Sequence, residues 1–410
     1  MVQPGRHGSD QGIQEGVCGG VVVEFSEQAT AVDVDGFLML GQDPVEDPLP
    51  GAEVVRQRRG VALARGGHDR VLAVQDSASG LRAWIALHEV GRGPAYGGIR
   101  IWHYRTESEA ALDALRLSRA MTIKCVLAHV RGGGAKTVVL ADWLEDRSAA
   151  MEALGREIEA LGGLYRTGPD AGFTPADQEA LARTTRWGVC HGPDLRPSGE
   201  ATAEGAIWGI RAGLLALGED RLEGVRVAVQ GLGSVGFVLA RRLKEAGAEV
   251  VAADPSLQPC DRARELGIDL VDPGELLAQE CDVLVPCALG GVLHDLSIPR
   301  IRARMVAPCA NNTLAGPENA VQLDARGILY LPDFVINAGA LIEGAGHDVT
   351  GRVEWEAELR GIGDTVAEVV RRARAESCST VEAARELASE ILEAEKGEED
   401  SPRARETVGA

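Results

Sequence analysis

The alternation of apolar and polar positions becomes regular near residue 71. Residues 71–74 and 81–88 are apolar runs joined by the turn-rich segment DSASG, which predicts two strands. Thr106-Glu-Ser-Glu109 then fits a capping box, and apolar residues follow at helical spacing. The pattern therefore predicts two strands and then a helix that carries Lys124 near its carboxyl end.

A glycine run at 132–134 ends this helical pattern, and Lys136 lies where the glycines meet an apolar strand at 137–140. Glycine has no Cβ, so a ligand can approach the backbone closely there. The segments that follow predict a helix at 145–162, a short strand running into a loop around Asp170 at 165–174, and a helix at 202–217.

The second regular pattern joins a buried strand at 225–230, a glycine turn, a helix at 237–246 and a strand at 248–253. The turn reads Gly231-Leu-Gly233-Ser234-Val235-Gly236, and Asp254 ends the second strand. Such glycines allow a tight turn and close approach of a pyrophosphate, and the helix N-terminus attracts phosphate. The spacing predicts a dinucleotide site formed by these turn residues.

The acidic residue at 254 favours NAD over NADP as the cofactor. Its carboxylate can accept hydrogen bonds from ribose hydroxyls and would repel a 2′-phosphate, and no arginine occurs at 255–261.

Apolar strands at 283–286, 305–307 and 328–331 alternate with helices, which is typical of a parallel α/β sheet. The predicted fold class is α/β with two domains, of which the second is a Rossmann-type domain. The predicted boundaries are a partly disordered extension at 1–55, a first domain at 56–198, a Rossmann domain at 199–352, helical stretches at 353–395 and a disordered tail at 396–410.

Bulk composition limits the classes of function. The chain has 410 residues and a formal net charge of −20, which argues against nucleic acid or anionic membrane as a partner. No apolar run approaches the length of a membrane span, and the N-terminal residues lack a signal-peptide core. The eight cysteines form no metal-ligand cluster. We expect a cytoplasmic protein with no metal site.

Lysine is rare in this chain. Lys+Arg is 42, yet lysine occurs only at 124, 136, 244 and 396, so arginine supplies nearly all cations. Arginine keeps its proton, whereas a desolvated lysine can lose it. Lys124 and Lys136 beside a glycine run therefore suggest one residue that holds an anion and one that exchanges protons. The alternative is chance clustering beside a glycine turn.

Several segments together resemble one family. They are GPAYGGIRIW (93–102), MTIK (121–124), GGAK (133–136), GPDAGFT (168–174), the GLGSVG turn, PCALGGVL (286–293), CANNTL (309–314) and PDFVINAGALI (332–342). In order and spacing they resemble the glutamate/leucine/phenylalanine/valine dehydrogenases, most closely the leucine and valine branch. The resemblance extends over about residues 65–395.

The resemblance implies roles for particular residues. Lys124 matches the lysine that binds the substrate α-carboxylate, Lys136 the catalytic lysine, and Asp170 the aspartate that shuttles protons with the substrate amine. Gly98 lies in a Gly-Gly turn that lines the substrate site. The other implied substrate-site residues are Tyr96, Met121, Gly168, Asn312, Leu341 and Gly344. The cofactor is implied to contact Thr202, Ala288, Ala310, Asn312 and Asn337 as well as the glycine turn.

Tyr96 departs from the family pattern, because the glutamate enzymes carry at this position a lysine that pairs with the substrate γ-carboxylate. Glutamate is therefore disfavoured as a substrate. Gly168 and Gly344 are small where the family has aliphatic residues, so the pocket is apolar but altered in shape. Branched-chain, aromatic or unusual side chains all stay open.

The predicted function is NAD-dependent, reversible oxidative deamination of an apolar L-amino acid to the 2-oxo acid and ammonia. One alternative is a non-catalytic regulatory paralogue that binds NAD or amino acids. Another is a different NAD enzyme, such as an imine reductase. The resemblance also implies that the first domain, at 56–198, is the substrate-binding domain and that C-terminal helices at 353–395 complete it. It further implies an active site in the cleft between the two domains and a homo-oligomer associated through the first domain.

Overall fold

The computed structural model describes residues 67–188 and 195–399, with side chains as far as residue 395. Before residue 67 it describes only the backbone of short strands, namely β1 (Val17–Cys18), β2 (Val21–Val22), β3 (Thr30–Val34), β4 (Phe37–Gly41) and β5 (Arg59–Gly60). The prediction that residues 1–55 form a partly disordered extension lies largely outside the described residues.

The first sheet confirms the strands expected after residue 71. Its further strands are β6 (Arg70–Asp76), β7 (Leu81–Leu87), β8 (Ala95–Trp102), β9 (Gly133–Leu140) and β10 (Tyr165–Pro169). The spatial order is β10-β8-β9-β7-β6-β5, with β10, β8 and β9 parallel and β7 antiparallel to β9. Sequence periodicity did not predict β8, because its glycine pair interrupts the apolar alternation.

Helix α1 (Glu107–Leu127) packs on one face of this sheet, and α2 (Arg147–Ala160) and α3 (Pro175–Ala182) pack on the other. The glycine run brings α1 close to β9, because a Cβ on Gly134 would lie 2.1 Å from the backbone nitrogen of Thr122. At the start of α1, Thr106 accepts a bond from the Glu109 amide at 3.1 Å. The predicted capping box is only half formed, since the Glu109 carboxylate accepts from the Arg105 amide instead.

The second sheet is entirely parallel and has the order β13-β12-β11-β14-β15-β16. Its strands are β11 (Arg226–Gln230), β12 (Glu249–Ala253), β13 (Asp269–Leu270), β14 (Val283–Pro286), β15 (Met305–Val306) and β16 (Leu329–Tyr330). The strand order reverses between β11 and β14, which is where doubly wound sheets bind dinucleotides. The predicted two-domain α/β fold with a Rossmann-type sheet is confirmed.

Helices cover this sheet and connect it to the first. They are α4 (Ser198–Ala216), α5 (Gly236–Glu245), α6 (Leu257–Glu265), α7 (Glu318–Ala325), α8 (Asp333–Ile336) and α9 (Gly339–Thr350). None of the helices in the described parts of the chain combines the length and the apolar character that a membrane span requires.

The last two described helices are α10 (Glu356–Glu376) and α11 (Thr380–Glu399), which bridge the two sheets. The apolar residues Val366 and Val369 join the core of the second sheet, while Thr365 donates to the Leu127 carbonyl of α1 at 3.1 Å. These helices therefore pack against both sheets, whereas the predicted boundaries assign them to the substrate domain alone. Helix α11 continues to Glu399, so a tail beginning at residue 396 was wrong by the last turn of this helix.

Candidate active site

Strand register builds the floor of the candidate site. Side chains alternate between the two faces of a strand, so Tyr96, Gly98 and Arg100 of β8 share one face. On β10, Arg166 pairs with Tyr96 and Gly168 pairs with Gly98. The floor therefore has a glycine pair in its middle, with Arg100 at one end and Tyr96 and Arg166 at the other.

Gly98 and Gly168 leave the middle of this floor without side chains. A Cβ on Gly98 would lie 3.0 Å from the Cβ of Asp170 and 3.0 Å from the carbonyl oxygen of Pro169. The expectation that Gly98 lies in a turn was wrong, because it is paired within β8. A Cβ on the neighbouring Gly97 would lie 1.7 Å from the carbonyl oxygen of Ala135 on β9, so this position requires glycine.

Lys136 and Asp170 form a buried ion pair at the Arg100 end of the floor. The ammonium of Lys136, which is only 6% exposed, donates to Oδ2 of Asp170. Burial lowers the pKa of Lys136, and the negative charge of Asp170 partly opposes that shift. Burial alone would raise the pKa of Asp170, but the charges of Lys136 and Arg100 hold it below its usual value.

Sequence motifs did not identify Arg100 and its partners as the residues that support Asp170. The Arg100 Nε donates to Asp170 Oδ2 at 3.1 Å, and its Nη1 donates to Asp113 Oδ2 at 3.0 Å. Asp113, on α1, also accepts from Tyr104 at 2.6 Å and from Arg116 at 2.7 Å. The only available signal was Arg100 two positions after Gly98, which places both on one strand face.

Lys124 lies near the carboxyl end of α1 and faces the segment between α8 and α9. Its ammonium donates to Oδ1 of Asn337 at 2.6 Å. Burial lowers the pKa of Lys124 to about 8, with Asp333 opposing the shift and Lys136 adding to it. The structure therefore brings both predicted lysines to one cleft, where each is desolvated.

The second sheet contributes an amide cluster to the same cleft. Asn337 is 5% exposed, and its Nδ2 donates to the Asn311 side chain at 2.8 Å and to the Cys309 carbonyl at 3.2 Å. Asn312 takes a left-handed conformation with φ of 52°, and its amide donates to Asp333. Burial raises the pKa of Asp333.

Helix α9 covers the floor from above. Leu341, Gly344 and Asp348 recur at spacings of three and four, so they lie on one face of this helix. Asp348 accepts from Arg166 Nε at 2.7 Å and from the Tyr96 hydroxyl at 3.4 Å, which directs this face towards the Tyr96 end. Met121 lies three residues before Lys124 on α1 and so shares its side of that helix.

The glycine turn between β11 and α5 has the form that a pyrophosphate requires. Gly231 has φ of 91°, and a Cβ on it would lie 2.9 Å from the Cβ of Ala288. A Cβ on Gly236 would lie 1.9 Å from the Gly231 carbonyl oxygen, whereas one on Gly233 would meet nothing within 4 Å. The open space at Gly233 and the start of α5 fit a bound phosphate. Ser234 and Val235 complete the turn.

Asp254 and Thr202 lie on either side of this turn. Asp254 follows β12 and accepts from the amides of Leu232 and Ser256, each at 2.8 Å. Thr202, on α4, is 7% exposed and donates to the Ser198 carbonyl at 2.9 Å. A Cβ on Gly339 would lie 2.9 Å from the Thr202 amide, so α4 and α9 meet closely there. Ala310 follows β15, and its amide donates to the Pro286 carbonyl at 3.0 Å.

Comparison with known families agrees with this geometry. The dimerisation domain of the Glu/Leu/Phe/Val dehydrogenases matches residues 68–187, and the glutamate/leucine/phenylalanine/valine dehydrogenase domain matches residues 260–395. Residues 200–290 also match the NAD-binding domain of D-isomer specific 2-hydroxyacid dehydrogenases. The last match spans the glycine turn and Asp254, and it identifies a pyridine nucleotide fold.

Individual relatives cover most of the chain. Leucine dehydrogenase of Geobacillus stearothermophilus is 40% identical over 334 residues, which is 80% of this chain and 91% of the relative. Valine dehydrogenase of Streptomyces virginiae is 38% identical over 80% of this chain and 94% of its own length. The crystal structure of L-tryptophan dehydrogenase from Nostoc punctiforme superposes with a TM-score of 0.71 at 35% identity, covering 81% of this chain and 97% of that chain.

Sequence identity of this extent, the ordered family motifs and the shared fold lead to one conclusion. The chain belongs to the glutamate/leucine/phenylalanine/valine dehydrogenase family, on the branch of the leucine and valine enzymes.

Proposed function

We propose that this chain is an NAD-dependent L-amino acid dehydrogenase, which reversibly converts an apolar L-amino acid to the 2-oxo acid and ammonia. The observation that carries the proposal is the buried Lys136–Asp170 pair beside Lys124 over the floor formed by Gly98 and Gly168. Relatives named as leucine, valine, phenylalanine and L-tryptophan dehydrogenases support this reaction class.

Lys124 would bind the substrate carboxylate. Its ammonium is desolvated and has a side-chain amide as its hydrogen-bond partner, Asn337. An incoming carboxylate supplies the opposite charge that burial makes favourable. Pairing with the carboxylate at this end would orient Cα over Gly98 and Gly168, where no side chain obstructs it.

Lys136 and Asp170 would perform the proton transfers. A lysine whose pKa burial lowers can take a proton from an attacking water and return it later, as arginine cannot. Asp170 contacts Lys136 and lies next to Gly98, within reach of an amine over the glycine floor. It would carry protons to and from the departing nitrogen.

The cofactor accepts the hydride from the substrate Cα when it is bound. The glycine turn at 231–236 and the start of α5 would hold its pyrophosphate, and Asp254 would accept from the ribose hydroxyls. Asn337 and Thr202 would line the approach to the reacting carbon. The acidic Asp254 favours NAD over NADP. Arg262 is the first arginine after Asp254 in the sequence, and its guanidinium carbon lies 4.0 Å from the centre of the Phe237 ring.

The non-catalytic alternative has no support among the relatives, which are dehydrogenases by name. The retained lysines and Asp170 also argue for catalysis. A homo-oligomer stays part of the proposal, because residues 68–187 match a domain described as a dimerisation domain.

A panel of L-amino acids with NAD or NADP, read as NADH or NADPH absorbance, tests the proposal. We expect turnover of apolar amino acids with NAD, and the reverse reaction only with ammonia present. Lys136→Arg should lower kcat by roughly 10²–10⁴-fold, since the proton transfer is lost. Lys244→Arg is the matched control, because Lys244 lies on α5 and, among the described residues, its ammonium binds only the Gly267 carbonyl. Absence of turnover on every amino acid would refute the proposal.

A further inference from the structure

The end of the substrate floor opposite Asp170 is polar, although a pocket for a purely hydrocarbon side chain would need no polar groups there. Tyr96 and Arg166 are paired across β8 and β10, and Asp348 reaches both from α9. In the proposed function, the residues at the Asp170 end of the floor perform the proton transfers. The substrate side chain would therefore lie at the opposite end. No family motif quoted above includes Arg166 or Asp348.

Arg166 is held by three independent partners. Its Nε donates to Asp348 at 2.7 Å, its Nη1 donates to the Gly163 carbonyl at 2.6 Å, and its guanidinium carbon lies 4.1 Å from the centre of the Trp187 ring. Its side chain is only 15% exposed. Such fixing by stacking, charge and backbone is typical of a group that keeps one geometry for recognition.

Tyr96 forms the wall between the glycine floor and this pair. The residue is 3% exposed, and the edge of its ring lies 2.6 Å from where a Cβ on Gly132 would be. The ring therefore packs on the glycine before β9, and its hydroxyl is left at the Asp348 carboxylate at 3.4 Å. Burial raises the pKa of Tyr96, so its hydroxyl keeps its proton as a donor.

The Asp348 carboxylate can accept one more hydrogen bond. Tyr96 and Arg166 both use Oδ2 of Asp348, and among the described residues no partner contacts its Oδ1. The Arg166 Nη2 likewise has no hydrogen-bond acceptor among them. One acceptor and one donor are thus available at the same end of the pocket.

We propose that Tyr96, Arg166 and Asp348 determine substrate specificity, and that the preferred substrate is an L-amino acid whose apolar side chain ends in a hydrogen-bonding group. The inference rests on the proposed function and names its substrate class. Two residues of strand separate the level of Gly98 from that of Tyr96, about 6.6 Å. That reach suits an aromatic side chain such as a phenol better than a short aliphatic one.

L-tyrosine and L-phenylalanine provide the test, because they differ by one hydroxyl. We expect wild type to prefer tyrosine by about tenfold or more in kcat/KM, since a site built for a hydroxyl discriminates against its absence. In Asp348→Asn and Arg166→Met, which alter the free acceptor and remove the free donor, this ratio should fall towards one, with the loss confined to tyrosine. Circular dichroism and thermal unfolding of each variant establish that it is folded.

Asp220→Asn is the matched control, because it also removes one carboxylate. That side chain is 78% exposed, and within the described parts of the chain its one ion-pair partner is Arg221. Its ratio should equal that of wild type. A wild-type preference for phenylalanine or leucine over tyrosine would overturn the inference while leaving the proposed function intact. So would equal losses on all substrates in Asp348→Asn, which indicate that the pair with Arg166 only closes the cleft. Absence of turnover on every amino acid would refute the proposed function itself.

Discussion

At the scale of single residues, burial gives the two lysines of the cleft their properties. Arginine replaces lysine almost everywhere in this chain, whereas Lys124 and Lys136 lie where burial lowers the pKa of each ammonium. A desolvated ammonium is less stable than a hydrated one, so the fold is less stable for holding these charges. That penalty would strengthen the pairing of a charged ammonium with a substrate carboxylate. It also lowers the lysine pKa, so the neutral amine that can accept a proton is easier to form.

Replacement of Lys124 by methionine should therefore stabilise the fold and abolish substrate binding. The pKa of Lys124 falls from 10.5 to about 8 on folding, so below pH 8 the charged group destabilises the native state by about 3 kcal/mol. Loss of the Asn337 hydrogen bond removes roughly 1 kcal/mol of the gain. We expect Lys124→Met to be about 2 kcal/mol more stable in urea denaturation at pH 7.

The sign of the pH dependence follows from the same shift. Between pH 8 and 10.5 the unfolded state holds a proton on Lys124 that the native state has lost, so wild-type stability rises with pH relative to the variant. The advantage of Lys124→Met should thus shrink as the pH rises through this window. An advantage that is constant from pH 7 to pH 10.5 would contradict the assignment.

At the scale of elements, strand register brings together groups that are far apart in sequence. Arg100 of β8 reaches Asp170 after β10, and Lys136 of β9 reaches the same carboxylate from the other side. Asp113 and Tyr104 fix the guanidinium of Arg100. The order of residues in the chain does not show these contacts, because parallel strands that are neighbours in a sheet are separated in sequence by crossover helices.

We predict that Arg100 positions Asp170 and sets its protonation. Removing its positive charge in Arg100→Gln should raise the pKa of Asp170, so the acid limb of the kcat profile should move to higher pH. Arg116→Gln is the matched control, because Arg116 binds the same Asp113 but is 69% exposed. A lower kcat with an unmoved acid limb would mean that Arg100 only supports the structure.

Close contact between β8 and β9 predicts different outcomes for glycine substitutions. Gly97→Ala should destabilise the protein by at least about 2 kcal/mol, because its Cβ would lie 1.7 Å from the Ala135 carbonyl oxygen. Gly361→Ala, within α10, should stabilise it by roughly 0.5–1 kcal/mol, since its Cβ would meet nothing within 4 Å. Chemical denaturation of both variants measures the contrast, and equal effects would refute it.

At the scale of the whole molecule, the C-terminal helices tie the two sheets together. Ala384 and Ala388 of α11 are fully buried in the core that also contains the second sheet. Further along the same helix, Glu395 accepts from Arg92, which in turn donates to the Gly132 carbonyl at 2.6 Å beside the Tyr96 ring. Helix α11 thus reaches the Tyr96 side of the cleft through Glu395.

Disturbing this helix should affect the entire protein. Ala384→Gln places a longer polar side chain where there is no free space, which should destabilise the fold by about 1–3 kcal/mol. Glu393→Gln on the exposed face of the same helix should have little effect. A single unfolding transition that shifts for Ala384→Gln alone would support one cooperative unit, whereas two separate transitions would contradict it.

Local sequence patterns were sufficient for much of the fold and part of the site. The strands around β6, β7, β9–β12 and β14–β16, the glycine turn and the lysine pair follow from short-range periodicity and spacing, whereas β13 was not predicted. The placement of β8 and the whole of α9 did not, because glycines in them break the apolar repeat. Arg100 carried only its spacing from Gly98 as a signal, and Arg166 and Asp348 carried none. The significance of these residues comes from partners up to 182 residues away.

The sequence by itself determined the family and the α/β class, and it predicted the roles of Lys124, Lys136 and Asp170, because family motifs depend on residue type at fixed local spacing. Only the tertiary structure decided which groups surround them. Burial of the lysines, the Arg100 support behind Asp170 and the polar end at Tyr96, Arg166 and Asp348 arise from contacts between strands and helices distant in the chain. Desolvation and hydrogen bonding depend on all neighbours in space, and those neighbours are fixed only when the sheets and α9 pack together.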